Sequence, residues 1–353
     1  MHPLNLVGIR NLRNERWKVT AYEIAFRLCC RHLQGKRPNV LLFCRRRSGS
    51  TWILNTMASH PGIRYVGDAF GVALYSRFKD EIPSLAEAAQ CPGDYRFDRF
   101  VHFEGEAERR FREFARRVVT AKIHIYPMLH FWEPYFHRIT DRVVFQMPTA
   151  TAMIEWFAEQ FPVDIVLLLR HPIANALSSI AANHPEECGA YLNHRWFVDT
   201  HLTGSQVDLA RRILASGSLL AVHVLDWVLT LLAPIRALES RTHPDWLTIT
   251  YEQTVLQPDL VLNLLSQRLD LPDIDAMRMQ IRRPSRTVSS GTADKVGDVH
   301  YLIERWRKKV GPVEEQELMS IPAAFGIDVY TPDRCFAANR YLHGVTKPEA
   351  HVV

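Results

Sequence analysis

Three observations predict an α/β fold: a single P-loop-like domain with a central parallel sheet flanked by helices, preceded by an N-terminal helix. First, two short continuous apolar runs, Val40-Leu41-Leu42-Phe43 and Ile165-Val166-Leu167-Leu168-Leu169, read as strands buried on both faces of a parallel sheet. Second, stretches with apolar residues at helical spacing alternate with the strand-like runs, the order of a doubly covered sheet. Third, no internal repeat and no low-complexity linker divides the chain.

Before residue 36, Trp17, Ala21, Ile24, Ala25 and Leu28 fall at helical spacing among basic residues, which predicts a helical segment over 1–36 packed on the domain. A membrane-surface helix is the alternative, although Glu15 and Glu23 interrupt its basic face. The strand from Val40 runs into Cys44, a basic and hydroxyl-rich loop follows around Gly49, and Trp52 begins a helical pattern. His60-Pro61-Gly62 marks a turn and residues 64–66 a short strand, after which 69–99 reads as a long connection over the mouth of a site. Residues 104–117 predict an amphipathic helix with Phe111, Phe114 and Ala115 inward. The β-branched run 118–125 then predicts a strand ending in polar groups.

Residues 143–146 predict the next strand, and 149–161 a helix capped by Thr149 or Thr151. The run ending at Leu169 stops at Arg170-His171-Pro172, with a helix over 173–182. Two helical segments follow over 191–215 and 218–238. The second is the longest apolar stretch, but His223 and Asp226 interrupt it, so it reads as a buried helix and not a membrane span. A strand over 246–251, a helix over 258–269, a loop over 284–298 and a last helical part around Trp306 complete the expected domain, 37–330, leaving 331–353 as a tail.

Composition narrows the function. The chain has 353 residues, 47% hydrophobic and 23% charged, with net charge +5. That mild positive balance suits anionic ligands and does not indicate nucleic acid. Six cysteines without a Cys-x-x-Cys pair signal neither zinc nor a disulfide framework, and predict a reducing compartment. Residues 1–7 lack the basic flank and apolar core of a signal peptide, so the expected location is cytoplasmic.

Chemistry concentrates where the strands end. A strand, a small loop and a helix N-terminus form an anion site, to which Arg46, Arg47, Ser48, Ser50 and Thr51 add donors around Gly49. A basic surface turn would carry the same residues. Arg170 with Ser178, Lys122 with His124, and Tyr251 also fall at predicted strand ends. The loop departs from the nucleotide-triphosphate pattern: no Gly precedes the basic run, and no Gly-Lys-Ser/Thr closes it. Arg170 stands where a magnesium-holding Asp would end the strand, so no metal is expected.

With these motifs in order, the chain resembles the sulfotransferases that use 3′-phosphoadenosine 5′-phosphosulfate. Arg47-Ser48-Gly49-Ser50-Thr51-Trp52 is similar to their 5′-phosphosulfate loop, with Arg47 where cytosolic members usually have Lys. Arg170-His171-Pro172, with Ser178 eight positions after Arg170, is similar to their 3′-phosphate motif. Lys122-Ile123-His124 resembles their Lys-Thr-His, whose His is the catalytic base, and Tyr251-Glu252 their adenine-side Tyr-Glu. Trp52 matches the aromatic that stacks on adenine. Gly297-Asp298 matches only part of the C-terminal element, which leaves Arg286 and Lys295 as substitutes for a third 3′-phosphate contact.

The resemblance implies transfer of a sulfuryl group from this donor to an acceptor hydroxyl, leaving 3′-phosphoadenosine 5′-phosphate. The expected catalytic residues are His124, Arg47 and Lys122; the expected donor-binding residues are Arg46, Arg47, Ser48, Gly49, Ser50, Thr51, Trp52, Arg170, Ser178, Tyr251 and Arg286. The expected partner is a small-molecule or glycan acceptor, with no nucleic acid, no transmembrane span, and a homodimer left open. Phe70, Tyr75, Tyr191, Trp196 and Phe197 are expected to line the acceptor pocket. A small-molecule P-loop kinase and an inactive adenine-nucleotide-binding module are the alternatives.

Overall fold

The computed structural model describes residues 24, 28, 30–33, 35, 37–70, 99–122, 136–240, 246–283, 299–332 and 334–342, with the side chains of 299 and 300 excepted. His124, Arg286, Lys295 and Tyr75 lie outside the described residues, as do the 284–298 loop and most of the 1–36 segment. Ile24 and Leu28 of that segment are helical and exposed.

The core is a five-stranded, all-parallel sheet in the order β3-β5-β2-β6-β7. Its strands are β2 (Val40–Cys44), β3 (Ile63–Val66), β5 (Arg142–Gln146), β6 (Asp164–Leu169) and β7 (Leu247–Thr250). Two short strands, β1 (Arg31–His32) and β4 (Ile139–Thr140), pair separately. Alternation along β2 explains why its run is continuously apolar. Leu41 and Phe43 face one core with Phe145, Leu167 and Leu169, while Val40, Leu42 and Cys44 face the other with Val144, Val166 and Ile249. Helices cover both faces, so every β2 side chain leaves water; burying each large one contributes about 1.5–3 kcal/mol.

On the second face lie α1 (Ser50–Ala58), α10 (Pro258–Arg268) and α11 (Asp275–Ile281), through Ile53, Met57, Leu262, Leu265 and Met277. The first face is covered by α2 (Gly105–Val119), α3 (Ile154–Gln160), α4 (Pro172–Ala181) and α8 (Leu219–Ser240). Between α4 and α8 the 191–215 region divides into α5 (Cys188–Leu192), α6 (Arg195–His201) and α7 (Gly204–Ala215). Helix α9 (Tyr251–Leu256) follows β7, and α12 (Val299–Glu304) and α13 (Pro312–Ala324) close the fold. By length and composition α8 could cross a membrane, but Val222 through Ile235 are buried inside the domain. Packing extends past residue 330, since Cys335, Ala337 and Tyr341 are buried in the main core.

The strand expected over 118–125 is corrected as far as Lys122. Val118 and Val119 are the last residues of α2, continuing the inward spacing of Phe111, Phe114 and Ala115. Lys122 is exposed just beyond that helix, its amide donating to the Arg117 carbonyl. Asn39, immediately before β2, donates through Nδ2 to the Val119 carbonyl at 2.8 Å. Helix α2 therefore ends at the amino end of the sheet, a strand length of roughly 16 Å from the loop after β2. Lys122 does not join the Arg47 loop.

Candidate active site

The carboxyl end of every strand in the sheet contributes a polar group to one row. In strand order these are Asp68 after β3, Gln146 ending β5, the loop 45–50 after β2, Arg170 after β6 and Tyr251 after β7. Neighbouring strands stand about 4.8 Å apart, so the row spans roughly 19 Å, the reach of a nucleotide with an acceptor beside it.

The loop is held by residues far away in sequence. Arg45 is buried, its guanidinium donating to Asn175 Oδ1, to Ser179 Oγ at 3.0 Å and to the Asp226 carboxylate of α8. Asn175 in turn donates to the Arg46 carbonyl at 3.1 Å and to Ser48 Oγ at 3.0 Å. On the other side Gln146 donates to Ser50 Oγ at 2.6 Å. No side chain caps α1, so its first amides, with Gly49 at the cap, remain available. Gly49 has φ 90, and a Cβ there would stand 2.7 Å from the Tyr251 ring, which is why glycine is required. Arg47 also takes a left-handed φ of 70, costing roughly 1–2 kcal/mol.

Charge balance separates the arginines into two kinds. Arg45 is neutralised by Asp226. Arg46, expected to bind the donor, points its guanidinium at Glu187 Oε1 (2.9 Å) and Asp68 Oδ2 (3.4 Å). Glu187 also pairs with Arg99, so the two ends of the 69–99 connection are tied to the loop through Arg46. Arg47 and Arg170 have no carboxylate partner among the described residues. Arg47 donates through Nε to Ser178 Oγ at 3.2 Å, and Arg170 donates to the Arg47 carbonyl at 2.7 Å. The Arg170 guanidinium lies 4.2 Å from the centroid of Tyr251, and its buried Nε has no hydrogen-bond partner among the described residues. Burial, and then Arg170, pull the Arg47 guanidinium below its ordinary pKa. A negative charge beside Arg47 would offset both.

The expected positions thus come together after three of the five strands: Arg47, Ser48, Gly49 and Ser50 after β2, Arg170 and Ser178 after β6, and Tyr251 after β7. Thr51 is exposed in the first turn of α1, and Trp52 meets Tyr251 edge to face at 6.0 Å while donating to the Ile281 carbonyl at 3.0 Å. Tyr251 begins a helix and does not end the strand: the Thr250 hydroxyl accepts from the Gln253 amide and caps α9. Glu252 is buried, accepting from the His171 amide and the Tyr330 hydroxyl.

The acceptor-pocket expectation changes. Phe70, Tyr191 and Phe197 are fully buried in the core, packed against Phe111 and Phe157 or against each other. Trp196 is half-buried with one face covered by His102, stacked at 3.9 Å. Groups that sequence reasoning passed over, Asp68, Gln146, Asn175, Glu187 and Asp226, instead surround the loop. Asp68 is half-buried; burial raises its pKa, against the opposing pull of Arg46 and Arg99, and its enclosed Oδ1 has no partner among the described residues.

No family model and no curated protein matches the sequence. Two solved structures are similar to the fold. One is a sulfotransferase domain from the curacin biosynthetic pathway, 16% identical, with TM-score 0.42, covering 86% of this chain and 100% of that one. The other is a sulfotransferase domain from the Synechococcus PCC 7002 olefin synthase, 14% identical, with TM-score 0.40, covering 84% and 97%.

Proposed function

We propose that the protein is a sulfotransferase that moves the sulfuryl group of 3′-phosphoadenosine 5′-phosphosulfate to an acceptor hydroxyl on a small molecule or carbohydrate, by in-line displacement. The observation that carries this reading is the charge balance at the strand ends: among the described residues Arg47 and Arg170 have no carboxylate partner beside an uncapped helix start, whereas Arg45 and Arg46 are paired with carboxylates. The motifs at Arg47 and at Arg170 with Ser178 support the choice of donor.

Arg47 and the first amides of α1 would hold the 5′-phosphate and stabilise charge growing on its bridging oxygen. Arg170 and Ser178 would take the 3′-phosphate, and Trp52 with Tyr251 the adenine. Arg46, held by two carboxylates, fixes the loop. With the 3′-phosphate taken by Arg170 after β6 and the adenine by Tyr251 after β7, the acceptor would approach from the β3 side of the loop. Among the described residues there, Asp68 is the carboxylate that would receive the acceptor proton, through the oxygen that Arg46 does not hold; burial raises its pKa against the pull of Arg46 and Arg99. The resemblance assigns that role to His124. Asp68→Asn is expected to reduce turnover about a hundredfold or more while 3′-phosphoadenosine 5′-phosphate still binds; unchanged turnover, with His124→Ala inactive, would return the role to His124.

A thermal-shift comparison tests the donor. Stabilisation by 3′-phosphoadenosine 5′-phosphate without magnesium, exceeding that by ATP with magnesium, is the expected result. The reverse preference would favour the kinase reading, and nucleotide binding without sulfuryl transfer to any hydroxyl acceptor would favour the inactive module.

A further inference from the structure

Helix α4 meets the loop through consecutive serines. Ser178 Oγ accepts from Arg47 and Ser179 Oγ from Arg45. Past the helix end, Asn183 takes a left-handed φ of 52, and the chain folds back so that the His184 amide donates to the Ser179 carbonyl at 3.0 Å. This turn holds the His184 backbone against the end of α4, beside the two serines that touch the loop, and the half-buried ring feels the charges of Arg46, Arg47 and Arg45, with His223 of α8 a further titratable neighbour. Neither ring nitrogen has a hydrogen-bond partner among the described residues. The carboxylates nearby are engaged elsewhere. Glu187 holds Arg46, Asp226 holds Arg45, and Glu186 accepts from the Cys188 amide.

We propose that His184 is a further ligand of the donor's anionic end, and that the anion binds together with a proton taken up by the His184 imidazole. The proposal rests on the loop being the anion site. With the loop empty, burial and then Arg46, Arg47 and Arg45 hold the His184 pKa below the ordinary 6.5, so the ring is neutral near neutral pH. An anion against Arg47 offsets the guanidinium charge that disfavours the imidazolium and offers it an acceptor. The pKa of His184 therefore rises on binding. By linkage, affinity for the anion increases as pH falls through the liganded value, and levels off below the unliganded one. His223, next to Asp226 and Glu186 as well as Arg45, is the other group able to contribute, and the test must separate the two.

Titration calorimetry with pyrophosphate, and separately with 3′-phosphoadenosine 5′-phosphate, is run at about pH 6.5, the ordinary histidine value, in buffers of different ionisation enthalpy. The expected result is net proton uptake in the unmodified protein and in His223→Gln. In His184→Gln the uptake is lost and binding is about tenfold or more weaker, the scale of one charge-assisted hydrogen bond. A melting curve on each variant confirms that it is folded. Absence of uptake, uptake unchanged in His184→Gln, or failure of pyrophosphate to bind overturns the proposal. Proton-linked binding of pyrophosphate with no preference for the 3′-phosphorylated nucleotide leaves the His184 assignment standing and removes the sulfuryl donor.

Discussion

Arg47→Ala is expected to slow sulfuryl transfer by about a hundredfold to a thousandfold, the loss that follows removal of one preorganised donor at developing charge. Its side chain is half-buried and its one described side-chain hydrogen bond goes to Ser178, so the chain should fold without it. The backbone role survives, because the Arg47 carbonyl still accepts from Arg170. Arg47→Lys should fall between the two: it keeps a charge but loses the forked geometry that reaches Ser178 and a phosphate together. Single-turnover kinetics with labelled donor, beside a melting curve, measures both effects. Full activity in the alanine variant would show that Arg47 does not act on the transferred group.

Asp226→Ala should be the most damaging single change to stability. It strips the carboxylate from Arg45 in a site where both side chains are almost fully enclosed, and breaking such a pair costs about 3–5 kcal/mol. Denaturant unfolding reads this directly. A double variant, Arg45→Met with Asp226→Leu, should recover most of the stability, because two apolar groups leave no buried charge. It should not recover nucleotide binding. Asn175 and Ser179 would lose the guanidinium that orients them, and with it the support beneath Ser48 and the Arg46 carbonyl. A double variant that binds nucleotide normally would reduce Arg45 to a packing residue.

The sheet was legible where burial is two-sided. β2 and β6 read as strands because, past Asp164 at the start of β6, their residues are buried on both faces and apolar, and the loop after β2 was legible because its glycine, hydroxyls and arginines are contiguous. Val118 and Val119 misled through β-branching, although the spacing from Phe111 and Phe114 already continues the helix through them. The aromatic residues assigned to an acceptor wall, Phe70, Tyr191 and Phe197, show that an aromatic side chain carries no local sign of which way it faces. The division of the arginines was not readable either. Whether a guanidinium is spent on a carboxylate or left for a ligand depends on Asp68, Glu187 and Asp226, which are brought to the loop by three separate elements. Of these, only Asp226 left a trace, as an acid interrupting an otherwise apolar run.

The bonds beneath the loop join positions 130 and 181 apart, from Arg45 to Asn175 and to Asp226. Contacts so distant along the chain form slowly, because the intervening segments must be ordered before the contact rewards them. A nascent chain that has emerged only as far as α4 carries Arg47, Arg170 and Ser178 and still lacks the carboxylate that seats Arg45. The Arg45–Asp226 pair therefore forms only once the long apolar helix α8 has docked, and the proposed binding of an anion at this loop would report that docking.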